Sequence, residues 1–258
     1  MDDREEARGP VGQGTAQPAA GDPASDYDPS RYPRPSVTVD LVILTVQDND
    51  LRVLLVERAQ WPFAGMWALP GGFLHIDEAV HDTARRELEE ETGLAGEDIY
   101  LEQLYTFGAP DRDPRTRVIT VAYFALVPAD VSRRLHPGSD AAAVRWFSVY
   151  DLPQLAFDHA RIVDVALRRV RSKLDWTPIA FRLLPEQFTM TQLRNTYQII
   201  LHRELDKQNF SKKMLQSRDK VIEPVPNALV KGAHRPAQLY RFVEEGRYEW
   251  GATAGDQP

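Results

Sequence analysis

Five side chains set the chemical question in this sequence. Glu78, Arg86, Glu87, Glu90 and Glu91 lie in one stretch that opens on Gly71 and Gly72 and closes on Gly93. Residues 79–91 contain neither Gly nor Pro, and Val80, Ala84 and Leu88 recur at a four-residue step. That spacing predicts an α-helix with one apolar stripe. Glu87, Glu90 and Glu91 then share a face, being three and four residues apart. Like charges at that spacing repel. A divalent cation offsets the repulsion, and hard carboxylate oxygens suit Mg²⁺ or Mn²⁺. Gly93 is placed to end the helix in the left-handed conformation. An ordinary acidic, solvated helix would account for the glutamates, but not for Arg86 or the flanking glycines.

From Gly72 to Leu94 the residues follow the pattern G-x5-E-x7-R-E-U-x-E-E-x-G-U, with U aliphatic. At every specified position this resembles the Nudix box of the Nudix hydrolase superfamily. The resemblance implies a diphosphate linked to a nucleoside, cleaved by water. It implies Glu87 and Glu91 as metal ligands, Glu90 ligating or supporting them, and Gly71 adding a backbone carbonyl beside Gly72. Arg86 would orient the glutamates by charge-assisted hydrogen bonds, and Glu78 would complete that network. The resemblance also implies a further carboxylate just before an R-W-F strand. Here the segment reads GSDAAAVRWF, which puts Ala143 at that place and leaves Asp140 as the nearby acid. Metal and diphosphate binding are expected, and turnover is left open.

Positioning such a site requires a framework, and the flanking sequence supplies its signals. Residues 36–46 and 51–58 are β-rich runs around the turn signal QDND, which predicts a hairpin. A Gly/Pro-punctuated loop, AQWPFAGMWALPGGF, leads to the box, and Trp61 and Trp67 read as packing residues. Residues 101–108, 118–127 and 143–149 read as strands, the second of them buried on both faces. Between the first two lies APDRDPRTR, where Arg112, Arg115 and Arg117 form either a charged hairpin tip or a basic loop meeting substrate phosphate. Residues 158–174 predict an amphipathic helix with Ile162, Val163, Ala166, Leu167 and Val170 inward. This order matches the Nudix α/β/α sandwich with a mixed sheet. His159 and His234 read as packed or surface residues, and His75 is assigned no role.

The remainder changes character. Residues 188–201 predict a helix with a Thr189–Gln192 capping box. A second helix over 207–216 would bury Phe210, Met214 and Leu215 and expose Lys207, Gln208, Asn209, Ser211, Lys212 and Lys213. Residues 221–242 read as a hairpin with Pro224, Pro226 and Gly232 in or near its turns. Two helices and a hairpin make a small winged helix-turn-helix domain. From Gln192 to Arg241 ten cations face four anions, so this part carries +6 while the rest of the chain carries −13. A cationic module beside an acidic one suits contact with a phosphate backbone, with Lys231 and Arg235 on the hairpin. The alternative use of such a surface is solubility or dimerisation.

LDKQNFSKKML followed by KGAHRPAQLYRF, together with LAFDHARI at 155–162, resembles the NrtR family, Nudix-related transcriptional regulators of NAD metabolism. That resemblance implies ADP-ribose or a related nucleoside diphosphate as ligand, operator DNA as partner, and a homodimer. The expected division is an acidic disordered tail at 1–32, a Nudix domain at 33–175, the DNA-binding domain at 176–247 and a flexible end at 248–258. The chain has 258 residues and no cysteine, which excludes disulfides, a thiolate zinc site and a cysteine nucleophile. No apolar run approaches the roughly 20 residues of a membrane helix. No signal-type segment opens the chain, so the cytoplasm is the expected location. Two functions are in play: a ligand-responsive transcription regulator, with or without residual hydrolysis, and an active Nudix pyrophosphohydrolase with a structural or dimerising C-terminal domain.

Overall fold

The structure is a computed structural model that describes residues 28–93, 99–132, 143–174, 177–216, 221–230 and 236–243. The expected tails therefore lie outside the described residues, except for 28–32. So do Asp140, Lys231, Gly232, His234 and Arg235.

Strands β1 (Ser36–Gln47) and β2 (Asp50–Glu57) form the predicted hairpin. Asp48 and Asn49 turn it with φ of 53° and 60°, the left-handed pair that a tight two-residue turn requires. Strand β3 (Trp67–Ala68) joins β2, and β4 (Gly71–Phe73) pairs with the first half of β1. Helix α1 (Val80–Thr92) follows and stops at Gly93, φ 67°. Strands β5 (Tyr100–Phe107) and β6 (Val118–Leu126) extend the sheet on the other side of β1. The pairing of β1 with β6 is parallel and the other pairings are antiparallel, so the sheet is mixed. A short helix α2 (Ala129–Ser132) precedes β7 (Val144–Ser148), which pairs with β2. Helix α3 (His159–Lys173) closes this half.

Alternation along β1 separates the two layers. Val39, Leu41 and Ile43 pack with Ala84 and Leu88 of α1 on one face. Val42 and Leu44 pack with Ile162, Val163, Ala166 and Val170 of α3 on the other. Phe124 and Ala125 of β6 are both fully buried, one in each layer, as expected for a strand covered on both faces.

The second half begins with a 3₁₀ turn at Ile179–Leu183 and strand β8 (Gln187–Thr189). Phe188 and Thr189 are thus strand rather than helix. Helix α4 (Met190–Leu201) starts at the Thr189 cap, and the Thr189–Gln192 capping box is present. Helix α5 (Lys207–Leu215) is capped by Asp206, whose carboxylate accepts the Asn209 N–H at 2.8 Å. Strands β9 (Ile222–Val230) and β10 (Ala237–Phe242) complete a sheet of order β8-β10-β9. Pro224 lies inside β9, opposite Tyr240, not in a turn. An edge strand tolerates proline because one side of it donates to no neighbour.

The two halves share one core. Phe181, Phe188, Leu193, Tyr197, Ile200, Phe210 and Met214 are continuous with the apolar residues of β1, β2, β6 and α3. Among the described residues no helix is long and apolar enough to cross a membrane.

Candidate functional site

Arg86 is the hub of the box cluster. Its Nε donates to Glu78 Oε1 at 3.0 Å, one Nη to Glu87 Oε1 at 2.7 Å, and the other to Glu78 Oε2 at 3.2 Å. Glu90 accepts more weakly from Arg86, at 3.3 Å. Thr83 donates its hydroxyl to Glu78 Oε2 at 2.8 Å, and His75 Nδ1 lies 3.6 Å from that oxygen. Hydrogen bonds from Arg86 hold the Glu78 carboxyl down at about 2. Glu87 goes the other way: burial pushes its pKa up despite Arg86. Glu87 is 7% exposed, Glu91 is half-buried and Glu90 is exposed. The glutamate face is therefore not uniformly solvated, because β4 lies against Glu87.

Two glycines make room for that contact. Gly71 has φ 148°, and a Cβ there would stand 2.1 Å from the Val39 carbonyl oxygen. A Cβ on Gly72 would stand 2.1 Å from Glu87 Oε1. Backbone and carboxylate approach as closely as they do only because both side chains are missing. The oxygen donors are of the type a hard divalent cation takes, so the residue types fit. Among the described residues, however, no three acidic or histidine side chains converge on a common point. The carboxylates are gathered round Arg86.

Arg112 departs from the expectation of a ligand-facing residue. Its side chain is 3% exposed and pairs with Asp158 at 2.7 Å and Asp40 at 3.2 Å. Burial opposes its charge, but the two aspartates outweigh burial and hold its pKa above the ordinary value. It ties β1 to the start of α3. Next to it, His159 accepts the Leu69 N–H at Nδ1, 2.8 Å, so its proton sits on Nε2, 3.7 Å from Asp40 Oδ1. Burial lowers its pKa and keeps it neutral. This is the packed histidine the sequence suggested.

Of the two exposed arginines of that loop, Arg117 donates to the Ala109 carbonyl at 3.2 Å, and it is Arg115 that faces the aromatic residues. Its Nη2 pairs with Asp113 at 2.7 Å, and its guanidinium lies 5.4 Å from the Phe73 ring and 5.7 Å from Phe157. Arg58 lies over the same Phe157 ring at 4.8 Å and donates to the Pro62 carbonyl at 2.7 Å. Burial, then the neighbouring Arg115, lowers the Arg58 pKa. Phe63 meets Phe157 edge-on at 4.9 Å, and both hold positive φ, 62° and 52°. Non-glycine residues seldom accept that conformation, and such strain concentrates at binding sites. The Phe73 carbonyl also accepts from Arg86 at 3.4 Å, so this aromatic and guanidinium surface adjoins the box cluster. Arg58, Phe63, Phe73 and Phe157 were missed in the sequence, although the aromatic density of residues 59–73 was a usable signal. Trp61, read as packing, is 71% exposed beside them. Trp67 does pack, against Phe147 at 4.7 Å.

In the second half, α5 presents Lys207, Gln208, Asn209, Lys212 and Lys213 to solvent, with Ser211 half-buried. Phe210 and Met214 are each 7% exposed and face inward, Phe210 meeting Tyr197 edge-on at 5.2 Å. Leu215, expected inward, is 53% exposed at the helix end. Lys231 and Arg235 lie outside the described residues.

A mixed sheet between α1 and α3, with a Glu/Arg cluster on α1 and a winged helix appended, defines a Nudix domain fused to a DNA-binding module. The NUDIX domain family matches residues 35–166, and the NrtR DNA-binding winged helix domain matches residues 180–242. The ADPR responsive transcriptional repressor NtrR of Acinetobacter baylyi is 37% identical over 223 residues, covering 85% of this chain and 86% of that protein. The crystal structure of Shewanella oneidensis NrtR complexed with a 27mer DNA superposes with TM-score 0.67 at 31% identity, covering 80% of this chain and 93% of the other. An ADP-ribose pyrophosphatase of Methanocaldococcus jannaschii is 39% identical over 137 residues, covering 53% of this chain and 76% of that enzyme. The chain belongs to the NrtR family of Nudix-related transcription regulators.

Proposed function

We propose that this protein is an ADP-ribose-responsive transcription regulator of NAD metabolism. It reads ligand with residues 33–175 and operator DNA with residues 176–247. The observation that carries this reading is the pairing of a Glu/Arg/Gly cluster with an exposed cationic helix on one continuous core. The relatives support it: one is named as an ADPR responsive repressor and another was crystallised with DNA.

The diphosphate would lie along β4 and the start of α1, beside Gly71 and Gly72, with Arg115 and Arg58 facing its charge and the exposed aromatics flanking the nucleoside. Arg112 would act from behind, by holding Asp158 and Asp40. Glu87 and Glu91, with Glu90 in support, would hold Mg²⁺ or Mn²⁺. A bound divalent cation neutralises diphosphate charge and acidifies an attacking water. Arg86 and Glu78 would keep the glutamates in place. In DNA binding, Lys207, Lys212 and Lys213 would meet phosphates, Gln208, Asn209 and Ser211 would reach base edges, and Lys231 and Arg235 would meet the flanking backbone. Operator recognition would use a homodimer in the cytoplasm.

A second reading, ADP-ribose hydrolysis, is favoured by the full Glu78/Arg86/Glu87 network and opposed by Ala143, which has no carboxylate to offer. One experiment separates them. Mobility shift of the protein's own upstream DNA, with and without ADP-ribose and Mg²⁺, is run beside the release of AMP and ribose 5-phosphate from ADP-ribose. A ligand-dependent shift without turnover supports the regulator. Turnover without DNA retention supports the enzyme.

A further inference from the structure

Helix α3 touches both functional halves, one at each end. At its N-terminus His159 accepts the Leu69 N–H at 2.8 Å, two residues before Gly71. Asp158, its capping position, pairs with Arg112, which pairs with Asp40, and Asp40 lies opposite Gly71 in the β1–β4 ladder. The Ala156 N–H donates to the Trp67 carbonyl at 2.8 Å. The start of α3 is therefore tied to the segment that sets Gly71 and Gly72 against Glu87.

At its far end, fifteen residues and about 22 Å away, α3 holds α4. Arg171 Nε donates to the Ile200 carbonyl at 2.9 Å. Tyr150, in the turn after β7, donates its hydroxyl to the Ile199 carbonyl, with Ile200 O 3.3 Å away. Arg171 stands over the Tyr150 ring at 5.8 Å, and that ring packs on His202 at 4.1 Å. These acceptors are the terminal carbonyls of α4, which an α-helix leaves unsatisfied and negatively polarised. The Ile200 carbonyl takes the guanidinium, and the Ile199 carbonyl takes the hydroxyl beside the His202 N–H at 3.3 Å. Helix α4 in turn sets α5, through Tyr197 against Phe210 and through Gln198 Oε1 accepting the Leu205 N–H at 3.1 Å.

We propose that α3 is the lever that carries ligand occupancy at the Gly71–Glu87 contact to the DNA-binding helix, with Arg171 and Tyr150 as its grip on α4. Ligand and cation drawing on β4 and Glu87 act on Leu69 and Asp40, hence on the N-terminal end of α3. A helix packed along its length moves as a unit, so its far end shifts the α4 terminus and with it the presentation of α5. The apolar contacts of α3 hold the fold together, whereas the polar grip fixes direction. Weakening the grip therefore uncouples the halves without unfolding either.

This inference rests on the regulator reading, and the test separates the two. DNA affinity for the protein's own upstream region is measured by fluorescence anisotropy, with and without saturating ADP-ribose and Mg²⁺. Full-length wild type is compared with R171M, Y150F and the double variant. ADP-ribose binding is followed independently by the rise in melting temperature. In wild type the ligand should change DNA affinity by about 5- to 150-fold, the usual range of such coupling. In the double variant that ratio should collapse toward one, while the ligand-induced rise in melting temperature is retained. Y150F, which deletes one hydroxyl, should give an intermediate ratio and serves alone if the double variant is unstable. A wild-type ratio preserved in Y150F and R171M overturns the lever and leaves the regulator standing. A wild-type protein whose DNA affinity ignores ADP-ribose overturns the regulator reading, and the lever with it.

Discussion

Oε1 of Glu87 occupies the space a Cβ of Gly72 would need, 2.1 Å from that position. One carboxylate on the box helix is thus held by the absence of a side chain on β4. Gly72→Ala should displace Glu87 and weaken Mg²⁺-dependent ADP-ribose binding by about 10- to 100-fold, the usual penalty when the support of a metal ligand fails. Overpacking should lower stability by about 1–3 kcal/mol. Calorimetry reads the first and chemical denaturation the second. Unchanged ligand affinity would sink the assignment of Glu87 to the site.

Glu87 carries a pH prediction of definite sign. Burial raises its pKa above the ordinary 4.5. A raised carboxyl contributes stability that is present below the unfolded value and lost as pH rises through the folded one. Glu87→Gln should therefore match wild type in metal-free acid and become relatively more stable as pH climbs through that window. It should also lose the Mg²⁺-dependent response to ADP-ribose. Melting curves of both proteins across that range decide it, and a variant less stable at neutral than at acid pH, relative to wild type, contradicts burial as the cause.

Glu78 behaves oppositely. Arg86 holds it at about 2, so its contribution is present above the ordinary value and fades as pH falls toward 2. Glu78→Gln should flatten the acid side of the wild-type stability curve. An unaltered acid limb would mean that the Arg86 hydrogen bonds do not persist in solution.

Arg112 is a strut, and removal should show in stability. Arg112→Met leaves Asp40 and Asp158 without their shared cation, a destabilisation of about 3–5 kcal/mol for a broken buried pair. Urea denaturation measures it. A change below about 1 kcal/mol, the range of an exposed pair, would restore Arg112 to a direct ligand role if ligand affinity fell sharply at the same time.

Lys212 and Lys213 are exposed on α5. Changing both to Ala should weaken binding to all DNA sequences and reduce the salt slope by about 0.9 for each phosphate no longer neutralised. Changes at Gln208 or Asn209 should instead shift sequence preference, by about 1–3 kcal/mol per base pair misread. A salt slope that survives the double change would move the DNA-binding surface off α5.

The sequence by itself determined the box helix and its stop at Gly93, the β1–β2 hairpin, the inward face of α3, the Thr189 cap and the inward Phe210 and Met214. Each depends on spacing or on a local hydrogen bond, so neighbours in the chain suffice to specify it. Tertiary structure decided the rest. Arg112 and Arg115 look alike in APDRDPRTR, yet one is buried because Asp40 and Asp158, distant in the chain, surround it. Pro224 fits in a strand only because β9 is an edge. Glu87 and Glu90 are equivalent on a helix drawn alone, and only the approach of Gly72 desolvates the first. The Phe63 and Phe157 surface, and the grip of Arg171 and Tyr150 on α4, join segments dozens of residues apart. Periodicity records which side of an element is apolar. It does not record what another part of the chain will bring to the opposite side.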